Sequence, residues 1–219
     1  SQVSNAVDND TVIPVYTHGE TVIAFHDKDG NITGDAIDQL NCTMDKINQD
    51  FSIDIVPLSR ASNIIHGARP AIWLPAKFEG PAELMAQMAG PAGTLQISWH
   101  MRKDNNLIPN SPQFQNTAKI TTFSGSQLSK WLIKNDYTYV TGSADPNRLV
   151  YMLMSKEVDA VLSVELENSV TASVKNILHK HIKHIPHRTI ETAFWFSQGL
   201  QKEQPEFIHK FRDALKTCQ

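Results

Sequence analysis

Strand patterns and helix patterns alternate along almost the whole chain, and this alternation constrains the fold more than any other feature. Short β-branched and apolar runs, such as 22–25 and 51–56, are each followed by a stretch with helical periodicity. In the first such stretch Ile37, Leu40 and Met44 recur on one helix face. Strands that alternate with helices form mainly parallel sheets with helices packed on their faces. The pattern therefore predicts a mixed, mainly parallel α/β fold.

The alternation occurs in two runs, which predicts two lobes. A connector rich in Pro, Asn and Gln covers 104–116, and a second series of strands and helices starts with a strand pattern at 119–123. Asp145 and Pro146 then form a good N-cap and first-position pair for a helix in this second run. A chain of 219 residues suits one large α/β domain or two lobes of roughly 100 residues each.

Charge and motifs exclude several functional classes. The formal net charge of -3 is unlike the basic excess of a protein built to hold nucleic-acid phosphates, so no nucleic-acid partner is expected. No apolar run approaches the roughly 20 residues that span a bilayer. The sequence has no G-x-S-x-G, H-E-x-x-H or Walker A motif and no dinucleotide-binding glycine pattern. We therefore expect neither an enzyme nor a cofactor.

The two cysteines leave two interpretations open. Cys42 and Cys218 lack the close spacing of a zinc knuckle or a redox pair. In an exported protein they can form one disulfide that ties the C-terminal end to an early helix. The alternative is a pair of free thiols, since the sequence does not set the separation that a bridge requires.

A histidine cluster near the end of the second run also has two interpretations. Its members are His179, His181, His184 and His187. In a strand, His179 and His181 would share one face, a spacing that can chelate zinc, copper or nickel. The interleaved Lys180, Lys183 and Arg188 repel a cation, however, and favour a solvated basic edge strand. We expect no metal.

Five segments, in the right order and with the right gaps, carry a resemblance to a known family. They are Phe25-His-Asp-Lys-Asp-Gly-Asn-Ile-Thr-Gly34, Lys119-Ile-Thr-Thr-Phe-Ser-Gly-Ser126, Val158-Asp-Ala-Val-Leu162, Thr192-Ala-Phe-Trp-Phe196 and the helix from Phe207 to Leu215. Together they resemble the bacterial extracellular solute-binding proteins of family 3, the periplasmic receptors of polar amino-acid ABC transporters. The resemblance covers nearly the whole chain.

The resemblance implies the type 2 periplasmic-binding fold, in which each lobe is a mixed sheet flanked by helices. One lobe would comprise 1–97 and 195–219, the other 98–194, with hinge strands near 95–99 and 192–196. A small polar ligand would be captured between the lobes by hinge closure. It further implies a monomeric periplasmic protein, its signal peptide removed, that serves a membrane permease of an ABC transporter or a membrane-bound sensor.

Two positions depart from the family pattern and leave the ligand open. Ala82 stands where the family's amino-acid binders have the arginine that clamps the ligand carboxylate. Val164 stands where they have the aspartate that holds the ligand ammonium, and Glu165 follows one residue later. Because a shift of one residue along a strand reverses the face of the side chain, Glu165 is not an equivalent replacement.

Five residues of the first lobe are candidate ligand contacts: His18, Glu20, Arg60, Trp73 and Lys77. His18 and Glu20 follow the first strand, where the family presents an aromatic residue to the ligand, but ordinary loop polarity explains them equally well. Arg60 offers a planar fork to a carboxylate or phosphate, unless it is a solvated surface residue. Trp73 offers a flat wall, although a buried strand explains it better. Lys77 offers an anion partner.

The second lobe supplies five more candidates: Ser124, Gly125, Ser126, Arg148 and Glu165. Ser124, Gly125 and Ser126 form a helix start whose free N–H groups and hydroxyls suit an anion or a carbonyl oxygen. Simple N-capping by Ser126 is the alternative. Arg148 begins the following helix and is a weaker candidate of the same sort.

Two further functions stay open beside transport. The same fold can be the input module of a signalling protein, with lobe closure as the output. Some dehydratase-like enzymes also resemble the family, and Glu20, Arg60 and Glu165 would then be the candidate acid and base groups, although no proton to be moved can be named.

Overall fold

The computed structural model describes residues 11–219, with the exception of the Glu20 side chain. Within that range the strands are β1 Ile13–Thr17, β2 Glu20–Thr21, β3 Ala24–His26, β4 Ile32–Thr33, β5 Phe51–Ile55, β6 Ile72–Lys77, β7 Met88–Ala89, β8 Thr94–Arg102, β9 Lys119–Thr121, β10 Thr138–Tyr139, β11 Ala160–Val164 and β12 Ile182–Phe196. Most of them follow the predicted strand patterns, and the mixed α/β class is confirmed.

Helices separate most of these strands. They are α1 Asp35–Lys46, α2 Ala61–Ile65, α3 Ala82–Met85, α4 Pro112–Thr117, α5 Gln127–Lys134, α6 Pro146–Met154, α7 Ala172–His181, α8 Gln198–Glu203 and α9 Pro205–Leu215. Two 3-10 turns, Leu58–Arg60 and Leu166–Asn168, follow β5 and β11. Within residues 11–219, no helix is both long enough and apolar enough to cross a membrane.

The chain divides into two compact units. Unit 1 consists of the residues up to Thr94 together with Glu191–Gln219, and unit 2 is Leu95–Ile190. The chain therefore passes from one unit to the other within β8 and returns within β12. The polar connector at 104–116 lies inside unit 2, and α4 begins within it, so it is not the boundary that the sequence pattern suggested.

In unit 1, β1 is the central strand and pairs in parallel with β5 on one side and β6 on the other. The end of β12 runs antiparallel to β6 and also pairs with β7. A separate antiparallel sheet joins β2, β3 and β4. The carboxyl ends of β1, β5 and β6 therefore meet at one edge.

In unit 2 the strand order is β10, β9, β11, β8 and β12. The strands β10 and β11 both run parallel to β9, whereas β8 is antiparallel to β11. One face of this sheet packs on a cluster built around Trp99, Phe114 and Leu132. A second cluster, around Leu153 and Leu178, joins α6 and α7 to β11.

Local chemistry explains where the helices begin. Gly34 precedes α1 with φ of 129°, and a Cβ at this position would lie 2.4 Å from the carbonyl carbon of Ile23. Only glycine fits such a position without strain. Ser126 and Asp145 cap α5 and α6 with their side-chain oxygens, as predicted, and Pro146 occupies the first turn of α6.

The region of the histidine cluster differs from its sequence pattern. β12 begins at Ile182, well before the hinge strand predicted near 192–196, because its first half is largely polar and gives no hydrophobic pattern. The helix before it, α7, extends to His181. His179 and His181 are consequently the last turn of a helix and do not share a strand face.

The cysteines form the disulfide that the sequence left open. Cys42 of α1 is bonded to Cys218, which follows α9, with a Cα–Cα separation of 5.9 Å. The Lys46 ammonium donates to the Thr217 carbonyl oxygen at 3.2 Å. Both contacts hold the chain after α9 against α1 within unit 1.

Candidate functional site

The edge of unit 1 where β1, β5 and β6 end carries most of the first-lobe candidates. In α/β sheets, ligands bind beyond the carboxyl ends of parallel strands because loops and helix N-termini converge there. Val56 donates its N–H to the Thr17 carbonyl oxygen at 2.8 Å, so the ends of β1 and β5 stay joined. We call this region the unit 1 edge; it consists of the residues that follow β1, β5 and β6.

His18 lies directly after β1 and stacks on Trp73 of β6. The ring centroids are 6.3 Å apart and the planes are inclined by 28°. Burial lowers the pKa of His18 from 6.5 to about 4, so its imidazole is neutral at pH 7. Trp73 is 2% exposed and donates its indole N–H to the Pro75 carbonyl oxygen at 3.2 Å. Trp73 thus forms the floor under His18.

The turn after β1 is tight. Gly19 has φ of 72°, and a Cβ there would lie 2.4 Å from Cδ1 of Ile55. The Gly19 N–H donates to the Thr17 hydroxyl at 3.3 Å. The backbone of Glu20 then pairs with Phe25, while the Glu20 side chain lies outside the described part of the chain.

Arg60 is the cation of the unit 1 edge. It ends the 3-10 turn after β5, where its N–H donates to the Pro57 carbonyl oxygen at 2.9 Å. Its side chain is exposed, and no hydrogen bond or ion pair engages its guanidinium among residues 11–219. Lys77, at the end of β6, is also exposed but forms an ion pair with Glu79.

In unit 2 the corresponding edge lies beyond the carboxyl ends of β9, β10 and β11. After β9 the chain turns through Ser124, Gly125 and Ser126 into α5. The Ser126 hydroxyl accepts the Leu128 N–H at 3.1 Å, and the Ser124 N–H donates to the Ser143 carbonyl oxygen at 3.0 Å. We call these turns, together with the residue after β11, the unit 2 edge.

The turn at Gly125 leaves unoccupied space at the unit 2 edge. Its φ is 81°, and a Cβ placed on it would meet no atom within 4 Å. An approaching ligand atom therefore meets backbone and hydroxyl groups at this turn. Ser126 N-caps α5 as well, so both of its predicted roles remain compatible with the geometry.

Glu165 follows β11 with φ of 21°, a left-handed value that non-glycine residues adopt at a cost in strain. Its carboxylate accepts the Asn168 amide at 3.3 Å. Arg148 forms an ion pair with Glu157 at 2.7 Å, and Glu157 lies near the amino end of β11. Arg148 is thus engaged away from the unit 2 edge.

The histidines of unit 2 form a pair that the sequence did not predict. Nδ1 of His100 on β8 and Nδ1 of His184 on β12 are 2.5 Å apart. The His100 Nε2 lies 3.3 Å from the Ser163 carbonyl oxygen, which can only accept, so Nε2 carries the proton. His184 therefore donates its Nδ1–H to His100. Because strand pairing joins residues 84 positions apart, no local pattern could reveal this contact.

Burial governs the protonation of this pair. It lowers the pKa of His100 from 6.5 to about 3, and the charge of His184 lowers it further. Burial also lowers the pKa of His184, an effect that Glu167 opposes. Nearby, Nε2 of His179 lies 2.5 Å from the Glu167 carboxylate. Among residues 11–219 no three His, Cys, Asp or Glu side chains are grouped so as to hold a metal ion.

Two buried hydroxyls of unit 2 were also missed by the sequence analysis. Thr122 Oγ1, directly after β9, and Ser163 Oγ on β11 have no hydrogen-bond partner within the described chain. Buried polar groups are nearly always paired, so each of these two is exceptional. The sequence signal for Thr122 is weak: it is the second of two threonines that precede Phe123.

The two edges differ in what they offer chemically. The unit 1 edge presents a cation and a neutral imidazole on an indole floor, which suits an anionic group beside a flat or apolar one. The unit 2 edge presents hydroxyls, backbone groups and the Glu165 carboxylate, which suit neutral hydrogen-bonding groups or a cation. The roles of the ten candidates as ligand contacts stay predictions.

The sequence matches no protein-family model and no curated protein sequence at a significant level. Solved structures do match. A histidine kinase sensor domain with similarity to periplasmic binding proteins has a TM-score of 0.73 at 13% identity and covers 96% of this chain and 91% of its own. An ancestral arginine-binding protein bound to glutamine has a TM-score of 0.69 at 18% identity, with coverages of 94% and 91%.

A third match is an ancestral amino-acid-binding protein that is a precursor of cyclohexadienyl dehydratase. Its TM-score is 0.63 at 15% identity, and the alignment covers 94% of this chain and 88% of that one. These identities are low, so the likeness concerns the fold. The chain has the periplasmic-binding-protein fold, and the predicted fold class is confirmed.

Proposed function

We propose that this protein is a solute receptor that binds a small, polar, amino-acid-like molecule. The observation that carries this proposal is the state of Arg60. An exposed guanidinium stands at the carboxyl ends of parallel strands, and nothing in the described chain neutralises it. A carboxylate is the group that its planar fork binds best.

The lost family contacts shape the ligand that we propose. Arg60 takes over the carboxylate clamp that Ala82 cannot supply. His18, neutral and stacked on Trp73, then contacts the side chain of the solute. Structural neighbours that bind arginine and glutamine support an amino-acid-like ligand.

The proposal extends to partners and location. We propose membership of the family 3 extracellular solute-binding proteins, a periplasmic location after removal of a signal peptide, and delivery of the solute to an ABC-transporter permease. The Cys42–Cys218 disulfide supports an oxidising compartment, because such bonds persist outside the cytosol. The five ordered sequence segments support the family.

A sensory role is the second candidate, and one observation favours it. The histidine kinase sensor domain matches this chain with a TM-score of 0.73, above the 0.69 of the glutamine-bound arginine-binding protein. The genomic neighbourhood discriminates between the two. A permease gene beside this one supports transport, whereas a kinase or cyclase domain in the same gene or the next supports sensing.

We propose no enzymatic activity. The neighbour that is a precursor of cyclohexadienyl dehydratase is itself an amino-acid-binding protein. Mass spectrometry of a bound ligand after long incubation tests this point. An unchanged mass is expected, and a mass lowered by one water molecule would indicate a dehydratase instead.

A thermal-shift panel of amino acids, polyamines, organic acids and sugars tests the receptor proposal. A ligand that binds the folded protein stabilises it by about 2.7 kcal/mol at a hundredfold excess over its Kd. We expect amino acids or similar carboxylates to raise the unfolding temperature, and neutral sugars to leave it unchanged. A panel without any shift would contradict the proposal.

A further inference from the structure

A cavity opens in unit 1, away from both edges described above. Its volume is about 350 Å³, and α3, β7 and α9 contribute its walls. The apolar part of the wall consists of Phe78, Met85, Met88, Ala89 and Leu215. Pockets that bind small molecules have volumes of about 300–1,000 Å³, so this cavity is large enough for a small ligand. None of the ten candidate site residues lines this cavity.

Arg212 of α9 is the polar group placed in this wall. Its Nε donates to the Met88 carbonyl oxygen at 3.0 Å, and its Nη2 donates to the Ala86 carbonyl oxygen. The ring of Phe196 covers one face of the guanidinium at 5.9 Å. These contacts fix the side chain through the Nε and Nη2 edge of its guanidinium.

The other edge of the Arg212 fork, between Nη1 and Nη2, is left for a ligand. Among residues 11–219, no acceptor engages Nη1 and no carboxylate forms an ion pair with Arg212. A planar guanidinium binds a carboxylate through two parallel N–H···O bonds, and the free edge has the geometry for that.

The charges around the cavity also favour an anion. Lys216 lines it together with Arg212, and Asp213 is the one acidic side chain among the lining residues. Asp213 already lies 3.4 Å from the Lys216 ammonium. Burial lowers the pKa of Arg212 below its usual value, which reflects the cost of a half-buried guanidinium without a counter-ion.

The wall formed by the chain after α9 is fixed in advance. Gln219 donates its side-chain amide to the Pro91 carbonyl oxygen at 2.7 Å, and the disulfide holds Cys218 to α1. Lys46 adds its bond to Thr217. A preformed wall lowers the entropic cost of binding, since little has to be ordered when a ligand enters.

We propose that this cavity binds a small organic carboxylate with an apolar body. The carboxylate accepts two hydrogen bonds from the free edge of Arg212, and the body packs on Met85, Met88 and Leu215. Methionine side chains adapt to varied apolar shapes, so the body has no single required form. The proposal goes beyond the receptor function, because it uses unit 1 alone and none of the edge residues.

Benzoate is the probe, and benzamide is its neutral control of the same shape. The protein is labelled at its methionine methyl groups with carbon-13, which gives six reporters. Benzoate is expected to shift the signals of Met85 and Met88 in a saturable manner while leaving Met101 and Met152 of unit 2 unchanged. Benzamide is expected to bind about tenfold to a hundredfold more weakly, as a charge-assisted pair is lost.

Variants distinguish the contribution of the planar Arg212 guanidinium from that of its positive charge. Arg212→Lys keeps the charge but loses the fork, and is expected to weaken benzoate binding about tenfold. Arg69→Lys is its matched control on the same unit and is expected to bind as the wild type does. Met85→Trp fills the cavity, leaves Arg212 in place and is expected to abolish the shift of Met88, so the test holds even where an Arg212 variant fails to fold.

Three results would overturn the proposal. They are equal binding of benzoate and benzamide, unmoved Met85 and Met88 signals in the folded wild type, and unchanged benzoate affinity in both Arg212→Lys and Met85→Trp. Arg60→Ala leaves benzoate binding unchanged if the cavity is the site. A failure of the receptor proposal is therefore distinguishable from a failure of this one.

Discussion

The two units use different chemistry at equivalent places. At the unit 1 edge the polar groups are side chains, the Arg60 guanidinium and the neutral imidazole of His18. At the unit 2 edge they are mainly backbone and hydroxyl groups around Gly125. Side chains select by charge and shape, whereas backbone groups hydrogen-bond to any partner of the right geometry. We infer that the unit 1 edge sets which ligand class is bound.

The units also differ in charge and in what stabilises them. Unit 2 has eleven Lys and Arg against seven Asp and Glu, a net charge of +4, whereas the rest of the chain has nine against sixteen, a net charge of -7.

Unit 1 contains the disulfide. Unit 2 contains three of the four histidines whose pKa is lowered among the described residues: His100, His184 and His187. Reduction should therefore act on unit 1, and acid mainly on unit 2.

Removal of the disulfide should have the largest effect on stability. The Cys42→Ala, Cys218→Ala double variant is expected to lose about 3–5 kcal/mol of unfolding free energy, because the bond restrains a long loop in the unfolded chain. Hydrogen exchange should quicken most in α1 and α9. A reductant should reproduce this effect in the wild type and add nothing in the variant. Equal quickening in α6 would break the comparison between the units.

Acid should have the next largest effect. The folded pKa of His100, about 3, lies below its unfolded value of 6.5, so the folded protein binds fewer protons. Its stabilising contribution is complete above pH 6.5 and is lost as the pH falls from there towards 3. Between pH 7 and pH 5 we expect a loss of about 2 kcal/mol from this group.

His100→Gln sharpens this test. The glutamine amide can donate to the Ser163 carbonyl oxygen and accept from His184, but it does not titrate between pH 5 and pH 7. Urea unfolding of the variant should show a flatter pH dependence than the wild type. An unchanged slope would show that His18, whose folded pKa is about 4, dominates and that acid acts on unit 1 instead.

The smallest expected effect on stability comes from two serine N-caps of unit 2. Ser126→Ala and Ser111→Ala each remove a hydroxyl that accepts a helix N–H, and each should cost about 1 kcal/mol by urea unfolding. Only Ser126 lies at the unit 2 edge, so only Ser126→Ala should also weaken ligand binding. Equal ligand affinity in the two variants would mean that Ser126 is a cap and nothing more.

Local patterns were sufficient for much of the fold. Short buried strands such as β11 are recognisable by their run of apolar side chains. Ser126 and Asp145 are recognisable as N-caps because hydroxyl and carboxylate oxygens accept hydrogen bonds from the free N–H groups of a helix. The first half of β12 was not predicted from the sequence, because its residues are largely polar. Only its pairing with β8 identifies it as a strand. Periodicity cannot report a neighbour that is distant in sequence.

The site was harder to predict for the same reason. The residues that follow parallel strands could be named, because strand order along the chain places them at one edge. The stacking of His18 on Trp73, the His100–His184 pair and the disulfide each join positions far apart in sequence. The ion pair between Arg148 and Glu157 was equally unpredictable, since the sequence near Arg148 does not indicate which acid it pairs with.

A calorimetric titration tests the central claim most directly, namely that the edge at the carboxyl ends of the unit 1 strands selects the ligand. The strongest ligand of the thermal-shift panel is titrated into the wild type, Arg60→Ala and Arg69→Ala. Both arginines are exposed and belong to unit 1, but Arg69 precedes β6 and lies at the amino-end edge. We predict that Arg60→Ala weakens binding at least about tenfold, while Arg69→Ala binds as the wild type does. Unchanged affinity in Arg60→Ala would contradict the claim.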